Sequence, residues 1–369
     1  MDKTKKILLL IDSLGAGGAQ RQLVGLAVML KQRGHDVIVA TYHDNCFYVD
    51  TILDAGVPYV YLKSAHCSFK RIWVVARYIR RIKPDWVISY LETPSIVASI
   101  AHIFNKKFKL IVSERNTSQT VGKNEKLRFH LFKTADFIVP NAYAQEKFIV
   151  DNFPVLKAKT VTIANFVDTV FFHPKIHERS EVPEIVVAAS IWSPKNTLGF
   201  LDAVKILKER GLKFHISWYG KANGNIGYFE ECAQKAERLH ISDCISLLDK
   251  TKKIREKYQD ADYFILPSFY EGTPNVICEA MACGLPVACS NVCDNPIYVK
   301  PDVNGVLFDP KSPQNMAEVI AQLLTIGDKT YKLFSANSRK IAEEKLSKNK
   351  FIESYLTLIE DENHEMDKK

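Results

Sequence analysis

The chain has 369 residues, of which 47% are apolar and 25% charged, and a formal net charge of +8. That length suits two domains, and the mixture of apolar and charged residues excludes a disordered chain or a collagen-like repeat. No run approaches the ~20 uncharged apolar residues of a membrane helix; the nearest, Val87 to Phe104, is interrupted by Glu92 and Pro94.

In chain order, the pattern is strand, then amphipathic helix, repeated. Lys3, Lys5 and Lys6 followed by Ile7–Ile11 imitate a signal peptide, but Asp12 ends an apolar stretch shorter than the ~7–15 residues of a signal core. A buried first strand fits better and places the chain in the cytoplasm. Gly15-Ala16-Gly17-Gly18 is a turn, and Ala19–Arg33 a helix stopped by Gly34. Val37–Ala40 and Tyr59–Leu62 read as strands, and Phe69–Ile82 as a basic amphipathic helix closed by Lys83-Pro84. Trp86–Ser89, Leu110–Val112, Phe137–Val139 and Thr160–Ile163 are further strands. Residues 166–183 lack a period and read as a linker. A second series follows: strand Ile185–Ala189, helix Thr197–Arg210 stopped by Gly211, and strands Phe214–Trp218, Tyr263–Leu266 and Pro286–Ala288. Helices close the chain at about 313–325 and 330–345 and at Lys350–Ile359, before a polar tail read as frayed.

Strands apolar on both faces and separated by helices indicate parallel sheets. The expected fold class is α/β: two Rossmann-like, doubly wound domains facing an interdomain cleft, with ligand sites at the carboxyl ends of the strands. The expected domains are 1–165 and 184–345, with 346–369 as a C-terminal helix and tail that can pack back on the first domain. Charge follows this division. Residues 1–165 carry 24 Lys+Arg and 13 Asp+Glu, a balance of +11; residues 166–369 carry 26 and 29, a balance of −3. The eight cysteines form no CxxC pair and read as reduced, structural thiols.

The most informative segment runs from Pro267 to Val287. Gly272 permits a tight turn and close backbone approach, and Pro274 and Asn275 suit a helix start whose N–H groups attract phosphate. Glu271 lies in the loop and Glu279 eight residues on, so the two carboxylates can serve two parts of one elongated polar ligand. The plainer alternative is that Glu271 caps the helix and Glu279 is solvated.

The string Pro-Ser-x-x-Glu-Gly-x-Pro-x-x-x-x-Glu-Ala-Met-Ala-x-Gly-x-Pro-Val resembles the signature of the family 4 retaining glycosyltransferases of the GT-B fold. The resemblance extends to Gly17-Gly18-Ala19-Gln20-Arg21, where Gln20 replaces the usual Glu, to Ala164-Asn165-Phe166-Val167-Asp168, and to Asn304-Gly305-Val306-Leu307-Phe308. It implies that Glu271 lies beside the donor sugar, that Glu279 binds the ribose hydroxyls, and that Gly272, Thr273, Pro274 and Asn275 meet the sugar and diphosphate. It further places Gly17 and Gly18 at the donor and Lys195 at the diphosphate. The family's Arg five residues before that Lys is Ser190 here, and Lys221 is either an ordinary surface lysine or its substitute. The acceptor-side His of many members is also missing, and the corresponding position falls on Glu114-Arg115. These two read as a substrate-site pair, with a structural ion pair as the alternative. Asp260-Ala261-Asp262 imitates a metal-binding DxD motif but precedes a strand and reads as structural.

The resemblance implies transfer of a hexose from a nucleotide sugar, UDP first and GDP next, to a glycolipid or polyprenyl-linked glycan during O-antigen, capsule or exopolysaccharide assembly. No cofactor and no metal ion are expected. The basic helix 69–83 is either an ordinary surface helix or a contact for anionic lipid headgroups of the inner leaflet; no nucleic-acid partner is expected. Two rivals stand: a UDP-sugar epimerase on the same fold, and a non-catalytic assembly module.

Overall fold

The computed structural model describes residues 4–63, 68–115, 118–220 and 226–360. The chain separates into two compact units, residues 1–165 with 349–369, and residues 166–348.

In the first unit the elements alternate: β1 (Lys6–Leu10), α1 (Gly18–Gln32), β2 (Asp36–Thr41), α2 (Val49–Asp54), β3 (Tyr59–Tyr61), α3 (Ser68–Ile82), β4 (Trp86–Tyr90), α4 (Glu92–Phe104), β5 (Lys109–Glu114), α5 (Lys123–Phe132), β6 (Phe137–Pro140) and α6 (Tyr143–Asn152). The six strands pair in parallel in the order β3-β2-β1-β4-β5-β6. Ile7 to Leu10 and Leu110 to Val112 have no solvent exposure, as expected of strands covered on both faces. The chain moves outward from β1 to β3, then returns past β1 to β4 and runs out to β6. Right-handed crossovers therefore put α1 and α2 on one face and α3, α4 and α5 on the other, and α3 packs on α4 and α4 on α5. The carboxyl ends of β1 and β4 flank the reversal, the position where such sheets bind ligands.

The second unit repeats the plan. Its elements are β7 (Glu184–Ala188), α7 (Thr197–Glu209), β8 (His215–Tyr219), α8 (Ile226–Arg238), β9 (Ile245–Leu248), α9 (Ile254–Gln259), β10 (Tyr263–Leu266), α10 (Asn275–Ala282), β11 (Val287–Ser290), α11 (Asn295–Tyr298), β12 (Gly305–Phe308), α12 (Pro313–Leu324) and α13 (Asp328–Leu346). The strand order is β12-β11-β10-β7-β8-β9, again parallel. Gly220 marks the close approach of β7 and β8: a Cβ there would lie 1.8 Å from the Ala189 carbonyl oxygen. Gly284 ends α10 at φ +82°, a left-handed conformation that costs other residues roughly 1–2 kcal/mol. The last helix, α14 (Lys348–Glu360), belongs with the first unit beyond Lys348.

The structure departs from the sequence reading in several places. Thr160–Ile163 is not a ladder strand. The Val161 and Ile163 amides donate to the Ile138 and Pro140 carbonyls at 3.0 and 3.1 Å, but only one bridge, Ile138 to Thr160, forms. β9 has no clear signal in the sequence, because it is a half-buried edge strand in which Ser246 breaks the apolar run. Val87–Phe104 is β4 and α4, with Glu92 in the first turn of α4; among the described residues no helix is long and apolar enough to cross a membrane.

Residues 166–183, read as a linker, are strapped to the second unit. Phe166, Val167 and Phe172 are buried. The Arg339 guanidinium donates to the Phe172 and Thr169 carbonyls at 2.8 and 3.0 Å. Asp262 accepts from the Ser180 and Glu184 amides at 3.0 and 2.8 Å and lies 3.0 Å from His177 Nε2, while Asp260 pairs with Lys175 at 2.9 Å. Both acids of the DxD-like triplet thus hold this strap to β7 and β10. The seven described cysteines are free thiols, and Cys67 lies outside the described residues. So does the tail beyond Glu360; Glu360 itself is helical and sits 3.6 Å from His35 Nε2.

Candidate functional site

In the second unit, the loop from Pro267 to Pro274 connects the carboxyl end of β10 to α10. Its shape is set from the neighbouring strand end: the Phe269 amide donates to the Pro194 carbonyl at 2.9 Å. Pro194 lies in a single 3-10 turn, Ser193–Lys195, closed by Asn196 at φ +56°. Asn tolerates that left-handed conformation better than most residues, and its side-chain amide donates to the Pro310 carbonyl at 2.6 Å, which fixes the turn.

The two loops are joined by charge. Lys195 Nζ donates to Glu271 Oε1 at 2.5 Å, and both side chains are largely shielded from water. Glu271 lies three residues before Pro274, the N-cap of α10, whose own side chain makes no capping bond. The plainer reading of Glu279 as a solvated residue fails. It is only 4% exposed on α10, beside Ile277 and Ala280, which are fully covered. Tyr258 donates its hydroxyl to Glu279 Oε2 at 3.3 Å. Thr273 is buried, and Gly272 and Asn275 are half-buried.

Sequence reasoning missed two neighbours here. Tyr258 carries no motif that would reveal its role as the partner of Glu279. Cys293, at φ +48°, places its thiol beside Glu271: burial raises its pKa, and a hydrogen bond from the Glu271 backbone opposes that shift. Ser190, at the position of the family's Arg, follows Ala189, whose carbonyl accepts from Trp218 Nε1 at 2.8 Å. Lys221, the suggested substitute, lies outside the described residues.

The remaining candidates lie in the first unit. Gly17 is the N-cap of α1, at the carboxyl end of β1, and Gly18 its first residue. Gln20 folds back over this turn. A Cβ on Gly17 would meet Gln20 Oε1 at 2.1 Å, and Gln20 Nε2 lies 3.4 Å from Asp12 Oδ1. The absence of acid in the first turn of α1 leaves the positive end of that helix uncompensated by its own side chains.

Glu114 and Arg115, expected as a pair, face different partners. Glu114 closes β5 and is 2% exposed. Its Oε2 lies 3.6 Å from Arg128 Nη2 and makes no hydrogen bond among the described residues. Burial raises its pKa to about 7; Arg128 opposes this, while Glu92 and Glu125 add to it. Arg128, also buried, reaches Glu92 at 3.2 Å and donates to Ser118 Oγ at 2.7 Å. Arg115 instead donates to Asn165 Oδ1 at 2.9 Å and to the Tyr355 hydroxyl at 2.7 Å, with its guanidinium 4.1 Å over the Tyr90 ring. Tyr90 and Tyr355 share a hydroxyl hydrogen bond at 2.9 Å. Expected at a substrate, Arg115 is occupied in fastening α14 and Asn165 to the end of β5.

A family model described as Glycosyltransferase Family 4 matches residues 16–171, and one described as Glycosyl transferases group 1 matches residues 182–325. The amylovoran biosynthesis glycosyltransferase AmsD of Erwinia amylovora is 22% identical over 330 residues, 86% of this chain and 90% of that protein. A Campylobacter jejuni enzyme, N-acetylgalactosamine-N,N'-diacetylbacillosaminyl-diphospho-undecaprenol 4-alpha-N-acetylgalactosaminyltransferase, is 23% identical over 310 residues, 78% of this chain and 81% of that protein. Among solved structures, Anabaena Alr3699/HepE in complex with UDP matches with a TM-score of 0.82 at 19% identity, covering 96% of this chain and 99% of that one.

Proposed function

The chain belongs to the family 4, group 1 glycosyltransferases of the GT-B fold, and from that premise we propose that it transfers a hexose-type sugar, with retention at the anomeric carbon, from a nucleotide sugar to a lipid-linked glycan in bacterial surface-polysaccharide synthesis. UDP is the first choice of nucleotide, supported by the UDP complex of the structural relative, and GDP the second. The lipid-linked acceptor is supported by the diphospho-undecaprenol substrate in the name of the Campylobacter relative.

The observation that carries this reading is the placement of Lys195, Glu271 and Glu279 at the carboxyl edge of the second sheet, with Glu271 bonded to Lys195 and Glu279 sunk into α10. In the proposed complex Glu279, oriented by Tyr258, accepts hydrogen bonds from the ribose hydroxyls. The diphosphate takes the Lys195 ammonium from Glu271, which frees the Glu271 carboxylate to accept from a hexose hydroxyl. Lys195 and the N-terminus of α10 then stabilise the negative charge that grows on the departing phosphate. The acceptor hydroxyl attacks from the face that the nucleotide leaves, and the leaving phosphate oxygens assist its deprotonation. The chain's contribution is positioning and charge stabilisation, and no metal ion enters the proposed reaction.

A thermal-shift screen of nucleotide sugars tests the site. One nucleotide class is expected to raise the melting temperature, and Glu279→Ala to remove most of that rise. An equal rise in the variant refutes the assignment. A new epimer formed from UDP-N-acetylglucosamine without acceptor would favour the epimerase instead.

A further inference from the structure

The carboxyl rim of the second sheet carries three exposed aromatic side chains that the proposed transfer does not use. Trp192 precedes the 3-10 turn Ser193–Lys195, and Phe269 and Tyr270 precede Glu271 in the loop after β10. Their strands, β7 and β10, are paired neighbours, so the two loops meet. The Lys195 amide donates to the Trp192 carbonyl at 3.0 Å, and the Phe269 amide to the Pro194 carbonyl at 2.9 Å. The aromatic residues therefore border the Lys195–Glu271 ion pair on both of its loops, and each is 37–39% exposed. Trp and Tyr join an apolar ring face to a hydrogen-bonding edge, a combination suited to a ligand that is itself apolar on one side and polar at its rim.

Phe269 also lines a cavity of about 410 Å³, with Tyr228, Leu198 and Pro310 among its other walls. That volume falls in the ~300–1,000 Å³ range of small-molecule sites. Ser193 brings a hydroxyl, and Lys311 is the one charged residue that lines the cavity among the described residues. A diphosphate would meet a single cation there. An uncharged pyranose matches better: its C–H face suits the aromatic walls, and its hydroxyls suit the polar edges. The donor's ribose and hexose are assigned to Glu279 and Glu271, which lie deeper than the aromatic rim. The rim is left for the group that approaches the hexose from solvent, which is the acceptor.

We propose that Trp192, Phe269 and Tyr270, with the cavity beside Phe269, form a subsite for an uncharged pyranose of the glycan acceptor. The subsite rests on the nucleotide-sugar reading of the second unit. It adds a selection on the acceptor's sugar that is independent of any lipid diphosphate.

Saturation-transfer NMR on the full-length protein with UDP present tests the subsite. The probes are the methyl glycosides of glucose, galactose, N-acetylglucosamine and N-acetylgalactosamine. At least one is expected to receive saturation, strongest at the C–H protons of one ring face. Trp192→Ala/Tyr270→Ala is expected to weaken its binding about tenfold. Trp192→Phe/Tyr270→Phe keeps the ring faces and is expected to lose less. The thermal shift given by the nucleotide sugar should persist in both variants, which also shows that they fold. This second readout separates two failures. Absence of any nucleotide shift in the unsubstituted protein refutes the donor site. A normal shift with no glycoside signal, or with an equal signal in the alanine variant, overturns the aromatic subsite alone. Loss of both readouts in an alanine variant that is folded by circular dichroism assigns the rings to the donor and overturns the acceptor subsite as well.

Discussion

Replacing Glu114 by Gln gives the most direct test of the buried polar cluster at the end of β5. The pKa of Glu114 rises from 4.5 to about 7 on folding, chiefly through burial. An acid whose folded pKa is raised holds its proton in the native state while the unfolded chain releases it. Native stability therefore falls as pH rises from about 4.5 to about 7, and is level on either side of that window. At 1.36 kcal/mol per unit, the full penalty is roughly 3 kcal/mol. Gln cannot ionise, so the variant escapes this pH-dependent loss, although it gives Arg128 no counter-charge. The stability of Glu114→Gln minus that of the unsubstituted protein should thus grow by roughly 3 kcal/mol across the window, a change of about 6–12 °C in melting temperature for a unit of this size. Thermal unfolding followed at several pH values, with a probe that reports the first unit, measures it. A difference that stays flat from below pH 4.5 to above pH 7 refutes the idea that Glu114 is buried and weakly compensated.

Other consequences follow from single contacts. Gly220→Ala puts a methyl group 1.8 Å from the Ala189 carbonyl oxygen, so the ends of β7 and β8 must separate; a loss of about 3 kcal/mol by urea unfolding is expected. Tyr355→Phe removes the hydroxyl that receives Arg115 and bonds Tyr90, and should cost about 1–3 kcal/mol and increase proteolysis near α14. Under the proposed mechanism, Lys195→Ala lowers transfer by about 100-fold or more with little change in melting temperature, and Glu271→Gln weakens transfer more than nucleotide binding; normal turnover in either variant refutes its role.

Much of the fold is legible in local pattern. The continuous apolar runs Ile7–Ile11, Leu110–Val112 and Tyr263–Leu266 can be covered only inside parallel sheets, and each lies within a strand or one residue beyond it. The glycine stops at Gly34 and Gly211 both adopt positive φ. Edge elements are less visible: β9 is half-buried and interrupted by Ser246, and Thr160–Ile163 has apolar character without a full ladder partner.

For the candidate site, the spacing of Glu271 and Glu279 and the Gly272–Asn275 turn are written in one short segment, because a loop and a following helix are local structures. What tertiary structure alone decided was which side chains meet. Lys195 reaches Glu271 across 76 residues, Arg115 reaches Tyr355 across 240, and Glu114 turns to Arg128 and not to its neighbour Arg115. The basic helix 69–83 was visible by periodicity, but its packing beside α4 emerged only when right-handed crossovers laid α3, α4 and α5 on the same face. Periodicity states which residues leave water. The identity of the neighbour that replaces water, and with it the pKa of Glu114 and the pairing of Lys195, depends on where distant strand ends come together.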